Sequence, residues 1–143
     1  MDIIQAVLER RSIRKYKPDP VPEGLLREIL EAARWAPSWG NTQPWEIVVV
    51  SGNTLNRLKE ANRDKLTHGV VPQPDTAMPE AWPERFKRRY TEVGKVVLTS
   101  LGIARGDQEA RLRYGEEMYM FFNAPCLMLL CVDKTLSREY AML

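Results

Sequence analysis

Only two segments of this 143-residue chain have the pattern of a β-strand. Residues 45–50 form a β-branched run and residues 126–132 an apolar run rich in Leu, and turn-forming residues flank both. Such runs are typical of strands buried on both faces. A pair of strands alone does not make a stable sheet. We therefore expect further strands, either from segments without an obvious strand pattern or from another chain.

Helical periodicity accounts for much of the rest of the sequence. The predicted helices are one capped by Asp2 and ending near Arg11, one over residues 22–36, a short one opening at Thr54, and two over 84–103 and 108–122. Residues 67–84 hold four prolines and no sustained period, which predicts a long surface excursion. A further helix begins after Ser137 and lacks a C-cap, so we expect the sequence to be part of a longer protein.

Composition excludes several classes of protein. With 44% hydrophobic and 28% charged residues, the chain is neither disordered nor membrane-embedded. The first residues carry Asp2 and Gln5 where a signal peptide needs basic and apolar segments, which predicts a cytoplasmic location. A single histidine, His68, makes a histidine-based metal site or a serine protease triad improbable. Cys126 and Cys131 share one apolar run and are interpreted as reduced core thiols.

A basic segment follows the first helix. Its cations are Arg10, Arg11, Arg14, Lys15 and Lys17, with Ser12 among them. Arginine offers a rigid donor fork to phosphate, and a serine hydroxyl adds a compact donor beside it. The alternatives are a solvated charged segment or a nonspecific nucleic-acid patch. The formal net charge of +2 is too small to argue for nucleic acid by itself.

A second group of candidate residues lies in a polar loop over residues 36–44. Pro37 and Pro44 brace the backbone, and both a helix and a central strand are excluded from the loop by these prolines. The side chains of Ser38, Asn41 and Gln43 supply hydrogen-bond donors and acceptors beside flat tryptophan surface, a combination suited to a planar heteroaromatic ligand. A polar loop with its tryptophans tucked into the core is the competing interpretation.

Together these segments resemble the nitroreductase family of FMN-dependent oxidoreductases. The resemblance is carried by residues 10–16 (RRSIRKY), Val21-Pro22 at a helix start, 32–38 (AARWAPS) and 41–45 (NTQPW) before a Val-rich strand. It is dense over about residues 1–50, and Asn123-Ala124-Pro125 before the second apolar run also fits. Residues 64–115 correspond to the variable stretch of the family, an expected lid region.

The resemblance implies an α+β fold, with a nitroreductase-like mixed β-sheet flanked by helices, and an intertwined homodimer that binds FMN at its interface. A single domain would then span residues 1–143, without the C-terminal part that family members normally have. By motif position, Arg10, Arg11 and Ser12 address the FMN phosphate, and Arg14 approaches the pyrimidine side of the flavin ring. The residues implied to line the flavin from the partner subunit are Pro37, Ser38, Asn41 and Gln43.

The implied activity is hydride transfer from NADH or NADPH through bound FMN to a nitroaromatic, quinone or similar planar acceptor, in a ping-pong mechanism. Since flavin carries the hydride, no catalytic side chain and no metal is expected. A cation such as Arg14 near the N1/O2 edge of the ring stabilises the charge that reduction places there. No nucleic-acid or membrane partner is expected.

Two other functions remain open from the sequence. A flavin enzyme of the same fold could instead remove halogen reductively from aromatic substrates or consume the flavin itself, and the residues that decide this would lie in the lid region. A non-enzymatic binding module could use residues 10–17 to contact nucleic acid or a partner protein. Such a module would be colourless, and its affinity for nucleic acid would fall steeply with salt.

Overall fold

The structure, a computed structural model, describes residues 2–141. Its described elements are α1 Ile3–Glu9, α2 Glu23–Ala33, β1 Trp45–Ser51, α3 Gly52–Thr67, α4 Glu84–Ser100, α5 Gln108–Tyr119, β2 Cys126–Val132 and α6 Arg138–Ala141. Short 3-10 turns at Trp39–Asn41 and Phe121–Asn123 precede the two strands. This set of helices and strands agrees with the predicted α+β class. The predicted C-terminal helix begins at Arg138, and its last two residues, Met142 and Leu143, lie outside the described residues.

The strands β1 and β2 form one antiparallel two-stranded sheet. Trp45 pairs with Val132 at one end of the sheet, and Ser51 pairs with Cys126 at the other. Both strands therefore occur where the sequence predicts them. The mixed sheet that the resemblance implies stays a prediction, because it requires at least one strand parallel to a neighbour.

The prediction that both strands are buried on both faces is wrong for the described chain. Val48 is 45% exposed and Leu130 is 73% exposed. The reason is that the described helices leave these side chains largely uncovered, and no further strand of residues 2–141 extends the sheet beside them. The interpretation of both cysteines as core thiols fails in part for the same reason, because Cys126 is half-buried whereas Cys131 is exposed.

Local chemistry explains where the first two helices begin and end. The side chain of Asp2 accepts a 3.4 Å hydrogen bond from the backbone N–H of Ile4, which confirms the predicted N-cap of α1. Helix α2 ends at Ala33 rather than at the predicted residue 36. Pro37 disfavours helical backbone at Ala36, and the chain leaves α2 through i→i+3 bonds such as Ala36 N to Ala33 O, at 3.0 Å.

Helix α3 differs from its prediction at both ends. It begins at Gly52, two residues before the predicted Thr54, and runs for 16 residues rather than forming a short helix. Gly52 has a φ of 53°, a left-handed value that glycine adopts without a steric penalty. The chain therefore turns directly from β1 into α3.

The chain divides into two compact units, of which the first contains the chain up to Glu60 and the chain from Phe121 onward. This unit holds α1, α2, both strands, α6 and the first part of α3. Leu55 and Ala124 are its buried apolar side chains among the described residues, at 2% and 8% exposure. Lys59 Nζ donates a 2.9 Å hydrogen bond to Ala124 O, which ties α3 to the turn before β2.

The second unit runs from Ala61 to Met120 and contains the end of α3 together with α4 and α5. Residues 70–83 have no regular structure, as the sequence predicts. Asn62 Nδ2 donates a 2.9 Å hydrogen bond to Tyr119 O, which joins α3 to α5 within this unit. His68 follows α3 and is exposed. No helix in residues 2–141 has both the length and the apolar character needed to cross a bilayer.

Candidate functional site

The basic segment leaves α1 as extended chain. Arg10 is the C-cap of the helix, and its backbone N–H donates to Ala6 O at 3.1 Å. Arg11 Nη1 donates to Leu8 O at 2.7 Å and to Arg10 O at 2.9 Å. These carbonyls lie where a helix runs out of internal partners, so the Arg11 guanidinium caps the end of α1.

The remaining cations of the segment have no carboxylate partner among residues 2–141. These exposed cations are Arg10, Arg14, Lys15 and Lys17. The side chain of Ser12 is exposed and makes no hydrogen bond within the same described part of the chain. Because no acidic side chain lies between Arg10 and Pro18, the segment is locally positive and its donors are available to an anion. This arrangement can bind a phosphate group.

The polar loop is organised around the hydroxyl of Ser38. Ser38 Oγ accepts a 2.9 Å hydrogen bond from the backbone N–H of Gln43 and a 3.2 Å bond from Gln43 Nε2. Gln43 Nε2 also donates to Asn41 Oδ1 at 3.0 Å and to Ala36 O at 3.3 Å. Three of the predicted flavin-lining side chains therefore meet in one hydrogen-bonded cluster.

Left-handed backbone shapes this loop. Gly40, Asn41 and Gln43 have φ values of 59°, 53° and 47°. Asparagine tolerates this region better than most residues, whereas Gln43 requires support from its surroundings. The bonds from Gln43 to Ser38 provide that support and define the shape of the polar loop.

The cluster retains unused donors. The Ser38 hydroxyl proton is not needed by the two bonds that its oxygen accepts, and the amide nitrogen of Asn41 makes no hydrogen bond within residues 2–141. Pro37 is exposed beside them. The loop can therefore donate hydrogen bonds to the carbonyl and nitrogen acceptors of a heteroaromatic ring while proline presents apolar surface.

The two predicted groups are not joined within the chain. No hydrogen bond or ion pair in the described residues connects the basic segment with the polar loop. The structure assembles Ser38, Asn41 and Gln43 in one place and leaves the side chains of Arg10, Ser12 and Arg14 extended into solvent. The competing interpretation, with the tryptophans tucked into the core, fails for Trp39, which is 70% exposed, whereas Trp45 enters β1 half-buried.

Sequence reasoning missed one residue of the polar loop, Thr42, and its partner Tyr140 far along the chain. The hydroxyl groups of Thr42 and Tyr140 are hydrogen-bonded to each other, and the Tyr140 ring meets Trp39 edge-on, with ring centroids 6.3 Å apart and an interplanar angle of 75°. Thr42 and Tyr140 are 98 residues apart in the chain. No local pattern signals such a contact, because periodicity and turn chemistry describe only residues close in sequence.

The second unit holds no residue of the predicted site. A hollow of about 480 Å³ lies between the end of α3 and residues 70–73, with Leu66, Pro72 and Tyr119 among its lining residues. On α4, the guanidinium carbons of Arg85 and Arg89 lie 4.6 Å and 5.9 Å from the centroid of the Phe86 ring. These arginines thus cover an aromatic ring on a largely exposed helix.

Residues 7–142 match the family model described as the Nitroreductase family. Nitroreductase NfnB of Mycolicibacterium smegmatis is 33% identical over 141 residues, which cover 91% of this chain and 57% of that protein. Chloronitrobenzene nitroreductase of Comamonas testosteroni is 29% identical over 133 residues, 91% of this chain and 58% of that protein. An NADH dehydrogenase of Thermus thermophilus is 63% identical over 62 residues, 43% of this chain and 30% of that protein.

Two crystal structures share this fold over 99% of the chain. One is the FMN-dependent nitroreductase NfnB from Mycobacterium smegmatis in complex with NADPH, with a TM-score of 0.86 and 32% identity. The other is the FMN and NADPH-dependent nitroreductase NfnB from Sphigopyxis sp. strain HMH, with a TM-score of 0.90 and 31% identity. The chain spans 65% of each of them. By sequence over nearly its whole length and by fold, the chain belongs to the nitroreductase family.

Proposed function

We propose that this chain provides the flavin-binding part of an FMN-dependent oxidoreductase. The enzyme takes a hydride from NADH or NADPH and passes electrons to nitroaromatic, quinone or similar planar acceptors in a ping-pong mechanism. The observation that carries the proposal is the basic segment, residues 10–17. Its exposed cations have no acidic partner within the described chain, and the chain belongs to the nitroreductase family. We treat residues 1–143 as a single domain of that family, located in the cytoplasm.

The basic segment fits the phosphate end of FMN. A phosphate monoester carries close to two negative charges and several acceptor oxygens, and arginine forks match that geometry. Arg10 and Ser12 have their side-chain donors free, while Arg11 uses one nitrogen on α1 and keeps the rest of its guanidinium for the ligand. In this proposal these three residues hold the phosphate.

The polar loop and Arg14 fit the ring end of FMN. The free donors of Ser38 and Asn41 suit the acceptors of the flavin ring, and Pro37 supplies apolar surface beside them. Gln43 holds Ser38 and Asn41 in place through its amide nitrogen. When bound, FMN supplies the hydride chemistry. Arg14 places a positive charge at the pyrimidine edge and makes reduction easier by stabilising negative charge there.

A homodimer with FMN at the interface completes the site in this proposal. Since the described chain does not join the basic segment to the polar loop, a second copy supplies the missing half. Large apolar side chains support the existence of a partner surface, because α1 exposes Ile3, Ile4, Val7 and Leu8 by 62–75%. Contiguous exposed apolar surface of this kind marks interaction sites.

The relatives bear on the electron donor and acceptor. Proteins similar to this chain bear names that include nitroreductase and NADH dehydrogenase, and the similar crystal structures are described as FMN and NADPH-dependent. We therefore propose a nicotinamide donor and a planar acceptor that exchange at one flavin face. No described group of His, Cys, Asp and Glu side chains could hold a metal ion, and the proposed chemistry involves none.

The test compares FMN with riboflavin in binding and reduction experiments. The purified protein, supplied with FMN, is expected to become yellow and to bind FMN at least about 10-fold more tightly than riboflavin, because riboflavin lacks the phosphate. NADH or NADPH should bleach the flavin under anaerobic conditions, and initial rates with nitrobenzene should give parallel double-reciprocal lines. A colourless protein that takes up no FMN contradicts the proposal, and salt-sensitive binding of nucleic acid would favour the binding-module alternative.

A further inference from the structure

We propose that Tyr140 is a positioning residue for the polar loop and raises the affinity of that loop for FMN by acting through Thr42. The proposal rests on the function proposed above. It concerns a residue far along the chain from both predicted binding groups. The observations that carry it are the contacts of Tyr140 with Trp39 and Thr42, which flank the left-handed residues Gly40 and Asn41. Residues 39–42 are called the turn below.

The hydroxyl groups form a directed chain. Thr42 Oγ1 donates its only proton to Trp39 O at 3.0 Å. The Thr42 oxygen must therefore accept the bond that it shares with Tyr140, and the Tyr140 hydroxyl is the donor. The same Trp39 carbonyl accepts the backbone N–H of Thr42 at 3.3 Å. Tyr140 thus reaches the turn backbone through one threonine side chain.

The Tyr140 ring makes the second contact. Its edge-on approach to Trp39 is a favourable aromatic geometry, although the contact leaves Trp39 70% exposed. Tyr140 itself is half-buried, and its backbone N–H donates to Ser137 Oγ at 3.2 Å, which fixes the start of α6. The tyrosine therefore contacts the turn from the capped first turn of α6.

The turn needs support because of its backbone. Gly40 and Asn41 lie between the two residues that Tyr140 contacts, and both are left-handed. Glycine and asparagine adopt this backbone more readily than other residues, whereas Gln43, directly after Thr42, is left-handed too and needs surrounding contacts to determine it. Asn41 and its neighbour Ser38 carry the donors proposed for the flavin ring. Loss of the Tyr140 contact should thus let the donors move before FMN binds, so that binding must restore their order.

The first experiment is a double-mutant cycle on the FMN dissociation constant, measured by flavin fluorescence. Tyr140→Phe breaks the bond between the two hydroxyl groups, and Thr42→Val breaks it together with the bond to Trp39 O. Tyr140→Phe should raise the dissociation constant about 3- to 10-fold, and Thr42→Val should raise it at least as much. The double variant should bind FMN no more weakly than Thr42→Val alone, since both substitutions break the same bond between the two hydroxyl groups. Thr42→Ser keeps the hydroxyl group and should bind FMN with the affinity of the wild type. Tyr90→Phe removes an exposed hydroxyl on α4 and serves as the matched control.

The second experiment needs no flavin. Amide hydrogen exchange of the free protein reports the bonds from Asn41 N to Ser38 O and from Thr42 N to Trp39 O, which are 3.0 Å and 3.3 Å long. Tyr140→Phe should accelerate exchange at these two amides several-fold while amides of α2 keep their rates and the unfolding midpoint stays within a few degrees of wild type.

The outcomes separate this inference from the proposed function. If wild type binds FMN and Tyr140→Phe changes neither the dissociation constant nor loop exchange, the inference is wrong and the function stands. If wild type takes up no FMN, the proposed function fails, and the role assigned to Tyr140 in flavin affinity fails with it. Accelerated loop exchange would then establish only that Tyr140 supports the turn.

Discussion

The backbone N–H of Gln43 donates a 2.9 Å hydrogen bond to the hydroxyl oxygen of Ser38 and so closes the polar loop across its left-handed residues. A side chain thereby does what a backbone carbonyl does in an ordinary turn. The bond also leaves the Ser38 proton free, so one hydroxyl supports the loop and remains a donor for a ligand. Loop shape and proposed ligand binding are therefore linked at Ser38.

Replacing Ser38 by alanine should lower both the stability of the fold and the affinity for FMN. The variant loses two accepted hydrogen bonds, and we expect its free energy of unfolding to fall by about 0.5–1.5 kcal/mol. The FMN dissociation constant should rise as well. Urea denaturation and flavin fluorescence measure the two effects. Ser100→Ala is the control, because the Ser100 hydroxyl donates only to Val97 O within an exposed helix turn. Equal, small losses of unfolding free energy and of FMN affinity in the two variants would contradict the role given to Ser38.

Replacing Arg14 by alanine should weaken FMN without weakening the fold. Arg14 has no ion pair or hydrogen bond within the described chain, so the free energy of unfolding should stay within about 0.5 kcal/mol of wild type. Loss of a charged hydrogen-bond donor should raise the FMN dissociation constant roughly 10- to 100-fold and slow flavin reduction. Arg111→Ala, on the exposed face of α5, tests for a general charge effect. Unchanged binding and reduction in Arg14→Ala would remove Arg14 from the site.

A charge on the apolar face of α1 should disrupt the proposed homodimer. Val7 is 69% exposed in the single chain, and a buried aspartate at its position would carry an unpaired charge into the interface. Val7→Asp should shift the sedimenting species from dimer to monomer and lower FMN uptake. Gln5→Lys adds charge on the same helix, keeps a donor beside Glu9, and should leave the dimer intact. A monomeric wild type would show the dimer proposal to be wrong.

Because of Asp133, the free energy of unfolding should depend on pH in the acid range. The backbone N–H of Thr135 and then its hydroxyl donate to Asp133 Oδ1, at 2.8 Å and 2.7 Å, and they lower the pKa of this carboxyl from its ordinary 3.8. A lowered pKa means that the folded state favours the ionised form. Its stabilising contribution is therefore present above pH 3.8 and disappears as pH falls through the lowered value.

Asp133→Asn tests this dependence. The difference in unfolding free energy between wild type and the variant should be largest near neutral pH and should shrink below pH 3.8. Urea unfolding at a series of pH values measures it. A difference that stays constant into acid would mean that ionisation of Asp133 does not contribute to folding.

Local structure was largely predictable from the sequence. The Asp2 cap and the strand at residues 126–132 follow from hydrogen-bonding chemistry and apolar runs that act over a few residues, and the structure contains both. The misplaced boundaries have local causes too. Pro37 ends α2 early, and Gly52 lets α3 begin directly after β1.

The polar loop was predictable in part. The residue types of Ser38, Asn41 and Gln43 indicated a group of hydrogen-bonding side chains, and the structure joins all three. Their mutual bonds were not predictable, because the left-handed values at Asn41 and Gln43 decide which donor reaches which acceptor. Residue type sets the chemistry available, whereas backbone angles set the partners.

The sequence by itself determined the helices, the strand segments and the chemical character of the two binding groups, because each depends on neighbours along the chain. Only the tertiary structure decided that β1 pairs with β2 in antiparallel register and that Tyr140 contacts Trp39 and Thr42. It also decided that Leu130 and Cys131 are exposed rather than buried. Pairing and burial depend on surfaces brought together from distant parts of the chain, and an apolar run carries no information about what covers it.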